Sequence, residues 1–348
     1  VAAGEGLPFT QQDLEFAGHA IEARIYAEDP ARDFLPATGK LVHLAFPEPG
    51  SGVRVDAGVA AGGQITPWYD PMIAKLIVHG ADRTAALARL AQALREVEVA
   101  GVTTNVGFLQ RVAVCRAFRE ADLDTGLIER NREELFSKKD SIGSDFLAAA
   151  AFAELAEEER AARERARGSG DPYSPWHSVD GWRLNEESHH DFVFLDGEQA
   201  HNVRVIFRGR ELRMRIGAAE AVLAGEPLPQ GRLLVRLDGR AFKARAVRDG
   251  SDWHVFCDGE YRRLALEEPL HGAGQDTRSG SLAAPMPGRI IQVLAKAGAK
   301  VSKGDPLLIL EAMKMEHTIA APADGVVEEV HYGPGEQVLE GAELITLK

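Results

Sequence analysis

Cysteine is nearly absent: only Cys115 and Cys257 occur in 348 residues, far apart and in no CxxC or His-rich context. Neither a disulfide framework nor a zinc site is indicated, and a reducing compartment fits best. Positive charge is also short, with 40 Lys and Arg against 53 Asp and Glu and a formal net charge of -13. That balance repels a phosphate backbone and argues against nucleic acid as a partner. No apolar run approaches the roughly 18 residues of a membrane span, and Val1-Ala2-Ala3-Gly4 has no basic region leading into an apolar one. The expectation is a soluble, unexported protein with no membrane partner. An initiator Met is missing and the chain opens in mid-pattern, which points to a piece of a longer polypeptide. What is present is ordinary globular material, 45% hydrophobic and 27% charged, so wholesale disorder is excluded and the length predicts two or three domains. Ala and Arg usage points to a bacterial, cytoplasmic setting, although a mitochondrial matrix protein would obey the same physics.

Three stretches differ in texture. Residues 1–136 mix strand and helix signals: Ile21–Tyr26 and Leu41–Phe46 read as strands, and Asp82–Glu98 carries Leu87, Leu90, Leu94 and Val97 at helical spacing up to Gly101. A second helix is expected from Asn105. Residues 137–270 open with an Ala-rich helix over Ser144–Arg167, with Ser144 as a possible cap and Gly168 just past its end. Its Glu157-Glu158-Glu159 run, which meets Arg160, Arg163 and Arg165 one turn on, reads as a solvated face. From Trp182 onward, short alternating runs are separated by Asp-Gly pairs at 196, 238, 249 and 258, which predicts antiparallel hairpins in a sheet or barrel of about eight strands with the helix at its mouth or centre. Trp253, Val255 and Cys257 alternate with polar neighbours apart from Phe256, so Cys257 reads as core. His189-His190 is not expected to bind a metal, because adjacent strand residues point to opposite faces.

Residues 271–283 are Gly- and Ser-rich without periodicity and read as a flexible linker. About 13 such residues reach roughly 20 Å as a coil and about 45 Å extended. Beyond it, residues 284–348 hold an internal repeat at an offset of 37: Ala284-Pro285 maps to Ala321-Pro322, Gly288 to Gly325, Ile290 to Val327, Val293 to Val330, Gly298 to Gly335 and Leu307-Leu308 to Leu344-Ile345. Each half is too short to bury its own apolar residues, so the two must pack as a small two-fold sandwich. Joining them is Leu310-Glu311-Ala312-Met313-Lys314-Met315-Glu316-His317-Thr318-Ile319, read as a tight hairpin with a lysine between two methionines at its tip.

Glu311-Ala312-Met313-Lys314-Met315 resembles the attachment motif of biotin carboxyl carrier domains. That resemblance implies that Lys314 is amidated by biotin, with Glu311, Ala312, Met313 and Met315 as its setting. Lipoyl carrier domains share the barrel and the lysine hairpin but usually have Asp-Lys-Ala there. Gly18-His19-Ala20-Ile21-Glu22-Ala23-Arg24-Ile25-Tyr26-Ala27-Glu28-Asp29-Pro30, Pro67-Trp68-Tyr69-Asp70-Pro71-Met72-Ile73-Ala74-Lys75-Leu76 and Gly101-Val102-Thr103-Thr104-Asn105-Val106 resemble the C-terminal subdomain of an ATP-grasp biotin carboxylase. In that family ATP activates bicarbonate, with Mg or Mn, and a biotin ring nitrogen takes up the carboxyl group. Arg54, in Gly52-Val53-Arg54, matches the family arginine that stabilises the biotin enolate, a task suited to a planar, permanently charged donor.

The family's Gly-rich ATP lid, ATP lysines and metal-binding glutamates lie upstream of the portion matched here. The chain alone is therefore expected not to carboxylate biotin, and no metal ligands are assigned in it. The expected fold is multidomain α+β: an incomplete carboxylase subdomain, a long helix with an antiparallel β-barrel, and a two-fold barrel-sandwich biotinyl domain. This order resembles the alpha subunits of biotin-dependent acyl-CoA carboxylases, where the 137–270 module docks a carboxyltransferase beta subunit that binds the acyl-CoA. Biotin protein ligase is the other implied partner, and the assembly a hetero-oligomer. Met315-Glu316-His317-Thr318-Ile319 and Asp171-Pro172-Tyr173-Ser174-Pro175-Trp176 look most like 3-methylcrotonyl-CoA carboxylases of leucine degradation. Geranyl-CoA and propionyl-CoA carboxylases remain alternatives, the short middle module arguing against the propionyl type. A lipoyl carrier and an unmodified interaction module are the readings from other classes.

Overall fold

The computed structural model describes every residue except 51, 137–140, 210, 268–280, 285–286, 313–314, 340 and 348. The N-terminal unit is built on a three-stranded antiparallel sheet in the order His19–Tyr26, Met72–Gly80, Val53–Ala57. Its inner face, with Ala23, Ile25, Leu76 and Val78, packs on helix Arg83–Arg95, whose Leu90 and Leu94 are buried at helical spacing. Asp82 starts that helix by accepting a hydrogen bond from the Ala85 amide at 2.8 Å. The helix ends earlier than its apolar spacing predicts. Glu96 caps it, and Glu98–Ala100 forms a strand against His43–Ala45, because Val97 and Val99 suit an extended backbone and Gly101 takes φ +103°. The second helix is Val106–Val114, as expected from Asn105. Asn105 itself is buried, accepting from the Tyr26 amide at 2.9 Å and donating to Arg24 O at 3.1 Å.

Beside the end of the first strand, Glu28 is half buried. That burial, and secondarily the charge of Asp70, push its carboxyl above the ordinary carboxylate range.

The middle module is a 25-residue helix, Ser144–Gly168, inserted into a closed barrel of eight antiparallel strands. The strands run His189–Asp196, Gln199–Arg208, Glu211–Ile216, Ala219–Pro227, Arg232–Leu237, Arg240–Asp249, Asp252–Cys257 and Glu260–Leu266. Phe194 opposite Leu266 closes the ring. All four Asp-Gly pairs fall at hairpins, and Asp238-Gly239 and Asp258-Gly259 are two-residue loops with positive φ at both positions.

Two details of the helix ends differ from expectation. Ser144 is its first residue, behind Gly143 and without a side-chain cap, and Gly168 is its last turn, with Ser169 beyond it. The Ala-rich half is the enclosed half: Ala148, Ala149, Ala150 and Ala151 are 0% exposed. At Gly225 a Cβ would stand 2.8 Å from Leu234 O and 3.0 Å from the Phe152 ring, so helix and strand meet at a spot only glycine fits. The solvated half carries the expected pairs, Arg160 with Glu157 and Glu164, and Arg163 with Glu159. His189 and His190 take different partners, Glu187 O and Glu158. Burial pushes the Cys257 thiol up to about 12, in keeping with a core residue.

The C-terminal domain consists of two four-stranded sheets. One runs Ser281–Ala283, Glu343–Leu347, Gly325–Val330, Lys300–Val301, the other Met315–Ala320, Pro306–Ala312, Gly288–Val293, Gln337–Val338. Adding 37 to a strand of one copy lands on its equivalent in the other, and each sheet takes its two central strands from one copy and its edges from the other. Ser281–Ala283, which its composition assigns to the linker, is thus an edge strand paired with 343–347. The rest of the linker lies outside the described residues.

Two expectations follow. Glu154 is 5% exposed inside the barrel, accepting from Trp253 Nε1 at 2.7 Å and from Arg248 Nη1 at 3.1 Å. Glu154→Ala should strand both donors and destabilise the barrel by about 1–3 kcal/mol, read from the denaturant midpoint of Trp253 fluorescence. Because the folded chain holds a proton on Glu28 more tightly than the unfolded chain, its contribution is stabilising below the ordinary carboxylate pKa and is lost as pH rises through the raised value. Glu28→Gln should therefore raise Tm at pH 7, with the gain shrinking toward pH 4 in a fluorimetric melt series; a lower Tm at pH 7 would contradict this.

Candidate functional site

Two places carry the chemistry. The first is the outer face of the N-terminal sheet. Strand register sets Glu22, Ile77 and Arg54 in one row and Arg24, Lys75 and Asp56 in the next. Odd positions of His19–Tyr26 and of Val53–Ala57 face the core, so the even ones, Arg54 among them, face out. Arg54 is well exposed, at 71% of its side chain, and grips Asp56 with two parallel bonds, Nε to Oδ1 at 3.0 Å and Nη2 to Oδ2 at 2.7 Å. The shared hydrogen bonds lower the Asp56 carboxyl and raise the Arg54 guanidinium. Lys75 Nζ adds a second cation 3.7 Å from Asp56. The arrangement pairs a guanidinium fork with a half-exposed carboxylate, the geometry in which an arginine can hold an anion through two donors. Trp68 and Tyr69, unassigned in the sequence reading, stand exposed on the loop before Met72.

The second place is the hairpin between the two copies of the C-terminal domain. Its ladder runs Leu310 opposite His317, Glu311 opposite Glu316 and Ala312 opposite Met315. Ala312 is buried, while Glu316 is exposed. Met313 and Lys314 lie outside the described residues. The ladder closes at Ala312–Met315 and so leaves only these two positions between its strands, and a primary amine there is the chemistry needed to hold a carboxylic acid cofactor as an amide. The residues therefore fit a covalently borne biotin. His317, on the second strand, has its ring pushed toward the neutral form by burial. The Arg54 face and the hairpin belong to separate units, each on its own sheet. Among the described residues, no three His, Cys, Asp or Glu side chains converge as a metal site, and no helix is long and apolar enough to cross a membrane.

Between the long helix and the barrel lies an aromatic stretch that includes Tyr173 and Trp176 of the segment resembling the 3-methylcrotonyl type; its exposure was not expected. Tyr173, Trp176, Trp182 and Leu184 are exposed there, the first two at 94% and 91%. Such a density of large aromatics without helical or strand periodicity is the signal that would have marked it.

Three family models match in tandem: the biotin carboxylase C-terminal domain over residues 22–130, the BT domain of the methylcrotonyl-CoA carboxylase alpha subunit over 143–269, and the biotin-requiring enzyme model over 280–347. The mitochondrial methylcrotonoyl-CoA carboxylase subunit alpha of Dictyostelium discoideum is 37% identical over 97% of this chain and 50% of its own length. The rat protein of the same name is 32% identical over 99% of the chain and 49% of itself. The mitochondrial propionyl-CoA carboxylase alpha chain of Mus musculus is 31% identical over 100% and 49%. The chain thus spans about half the length of the curated relatives it matches. It carries, in tandem, a biotin carboxylase C-terminal domain, a BT domain of the methylcrotonyl-CoA carboxylase alpha type and a domain of the biotin-requiring enzymes, and along its whole length it is similar to the alpha subunits of biotin-dependent acyl-CoA carboxylases.

Proposed function

We propose that this chain is the carrier-bearing part of a 3-methylcrotonyl-CoA carboxylase alpha subunit. In this reading Lys314 bears biotin, and Glu311, Ala312, Met313 and Met315 set its surroundings. The observation that supports the reading is the hairpin: the ladder of Pro306–Ala312 with Met315–Ala320 joins the two copies, and its last pair, Ala312 with Met315, flanks Met313 and Lys314 in the sequence. Biotin, when bound, supplies a ureido nitrogen that accepts and releases a carboxyl group. Lys314 anchors that group through an amide and loses its charge in doing so. Arg54 offers a fixed guanidinium to the oxyanion that develops during transfer, in exchange for Asp56. Tethering then replaces free diffusion by a local concentration on the order of mM.

The ATP- and bicarbonate-dependent step, with its Mg or Mn, belongs in this reading to the complete subunit. The middle module docks the carboxyltransferase beta subunit, which binds the acyl-CoA. Its exposed Tyr173, Trp176, Trp182 and Leu184 support that assignment, since Tyr and Trp are enriched at protein interfaces and costly to leave in water. The match of a methylcrotonyl-type BT model to 143–269 favours 3-methylcrotonyl-CoA over propionyl-CoA. The compartment is the bacterial cytoplasm, or the mitochondrial matrix if the source is eukaryotic.

Coexpression with a biotin protein ligase tests the reading. Intact mass should rise by one biotin, mapped to Lys314 and absent from Lys314→Arg; an unmodified chain beside an active ligase would overturn it, and a lipoyl adduct would replace it. In the complete subunit Arg54→Ala should lower carboxyl transfer roughly 10²–10³-fold while biotinylation stays whole. A wild-type rate would remove Arg54 from the chemistry.

A further inference from the structure

Strand Asp252–Cys257 turns Trp253, Val255 and Cys257 into the barrel, yet His254 and Phe256 on its outer side are buried too. Tyr261 of the next strand stacks on His254 at 5.9 Å, and the N-terminal unit meets Phe256. The rings of His43 and Phe256 lie 5.7 Å apart, and Gln110 Nε2 donates to Gly259 O at 2.9 Å. Gly259, at φ +80°, sits so close to the end of helix Arg83–Arg95 that a Cβ there would stand 2.6 Å from Arg95 Cβ. At the edge of this contact one carboxylate belongs to both units. Glu98 Oε2 is 2.7 Å from His43 Nε2 of its own unit and 2.5 Å from Arg245 Nε of the barrel. All three side chains are mostly buried, and Arg245 is held from its other side by Gln230 O. At side-chain exposures of 13% for Arg245 and 21% for Glu98 water screens the pair only in part, and removing either member takes from the other its charged partner across the two units.

We propose that Glu98 is a positioning residue: its shared carboxylate latches the barrel to the N-terminal unit so that the two move as one body. The consequence reaches the carrier. The last described residue of the barrel, Glu267, donates its N–H to Val193 O at 2.9 Å, so a latched barrel fixes where the chain to the carrier departs relative to the sheet that bears Arg54. That second step rests on the carrier reading above; the latch does not.

The latch is tested in the full chain by electron-spin distance measurement between labels at Ala61→Cys and Ala218→Cys, exposed turn positions on the two units. Cys115 and Cys257 are buried and stay unlabelled. A single narrow distance is expected in the parent, and its loss in both Glu98→Arg and Arg245→Glu, with unchanged Trp253 emission showing that the barrel is folded. A narrow distance kept by both folded variants, or a broad one in the parent, overturns the latch. In the complete alpha subunit, Glu98→Arg should lower carboxylation of the biotin on Lys314 several-fold and leave carboxylation of free biotin unchanged. Equal rates on both would overturn the positioning role while leaving biotinylation, and so the carrier reading, untouched.

Discussion

A closed barrel has an inside that must be filled, and here the filling is a helix rather than barrel side chains alone. A helix with side chains is about 10–12 Å across, so an eight-stranded ring admits it only where its surface is nearly bare. Ala148–Ala151 and the contact of Gly225 with Phe152 are that bare surface. Phe146, Leu147, Phe152 and Leu155 then fill the remaining space against Phe194, Val205, Met214, Leu223, Val235 and Leu264. Glu154, the one acid in this enclosed stretch, is tolerated because Trp253 and Arg248 satisfy both its oxygens. With its inside closed in this way, the barrel has only its outside left for partners. One side of it meets the N-terminal unit, and the exposed Tyr173–Leu184 stretch adjoins it in the chain.

The features legible in the sequence are those dictated by short-range backbone geometry. Asp-Gly at four hairpins, the Ala-rich helix and the offset of 37 each report a local conformational demand, and the structure meets each of them. Where prediction failed, a longer-range contact decided. Glu98–Ala100 leaves the apolar helical pattern because pairing with His43–Ala45 offers Val99 a buried strand position. Ser281–Ala283 leaves the linker because the second copy of the repeat supplies it with an edge, Glu343–Leu347, that no local signal announces. Phe256 was the visible irregularity in an otherwise alternating strand, and its cause is a second covered face.

The C-terminal sandwich makes the strongest use of symmetry. Since every sheet borrows edge strands from the opposite copy, the buried sets repeat as well: Ala284 with Ala321, Ile290 with Val327, Leu307 with Leu344, Leu308 with Ile345. The strand pairing repeats too: Thr318 and Ile319 pair with Ile309 and Leu308 as Ser281 and Leu282 pair with Thr346 and Ile345. In the ladder that joins the copies the pairing continues through Glu311 with Glu316 to Ala312 with Met315.

In its proposed role Arg54 poses the opposite physical problem, a charge that must be held yet remain available. A buried ion pair would hold it at the cost of availability, because separating the pair would strand a charge in the interior. An exposed pair is weak and readily exchanged in water, and the Arg54–Asp56 pair is of this kind. Asp56 fixes the exposed guanidinium through two parallel bonds, while Lys75 holds Asp56 from the neighbouring strand. An incoming oxyanion can then take over the same two donors without the arginine having to reorient. The displaced Asp56 keeps Lys75 as a partner, so the exchange leaves no carboxylate unpaired. In the proposed role, orientation is thus set before an anion arrives, which is the condition under which a cation contributes to a transition state rather than merely to binding.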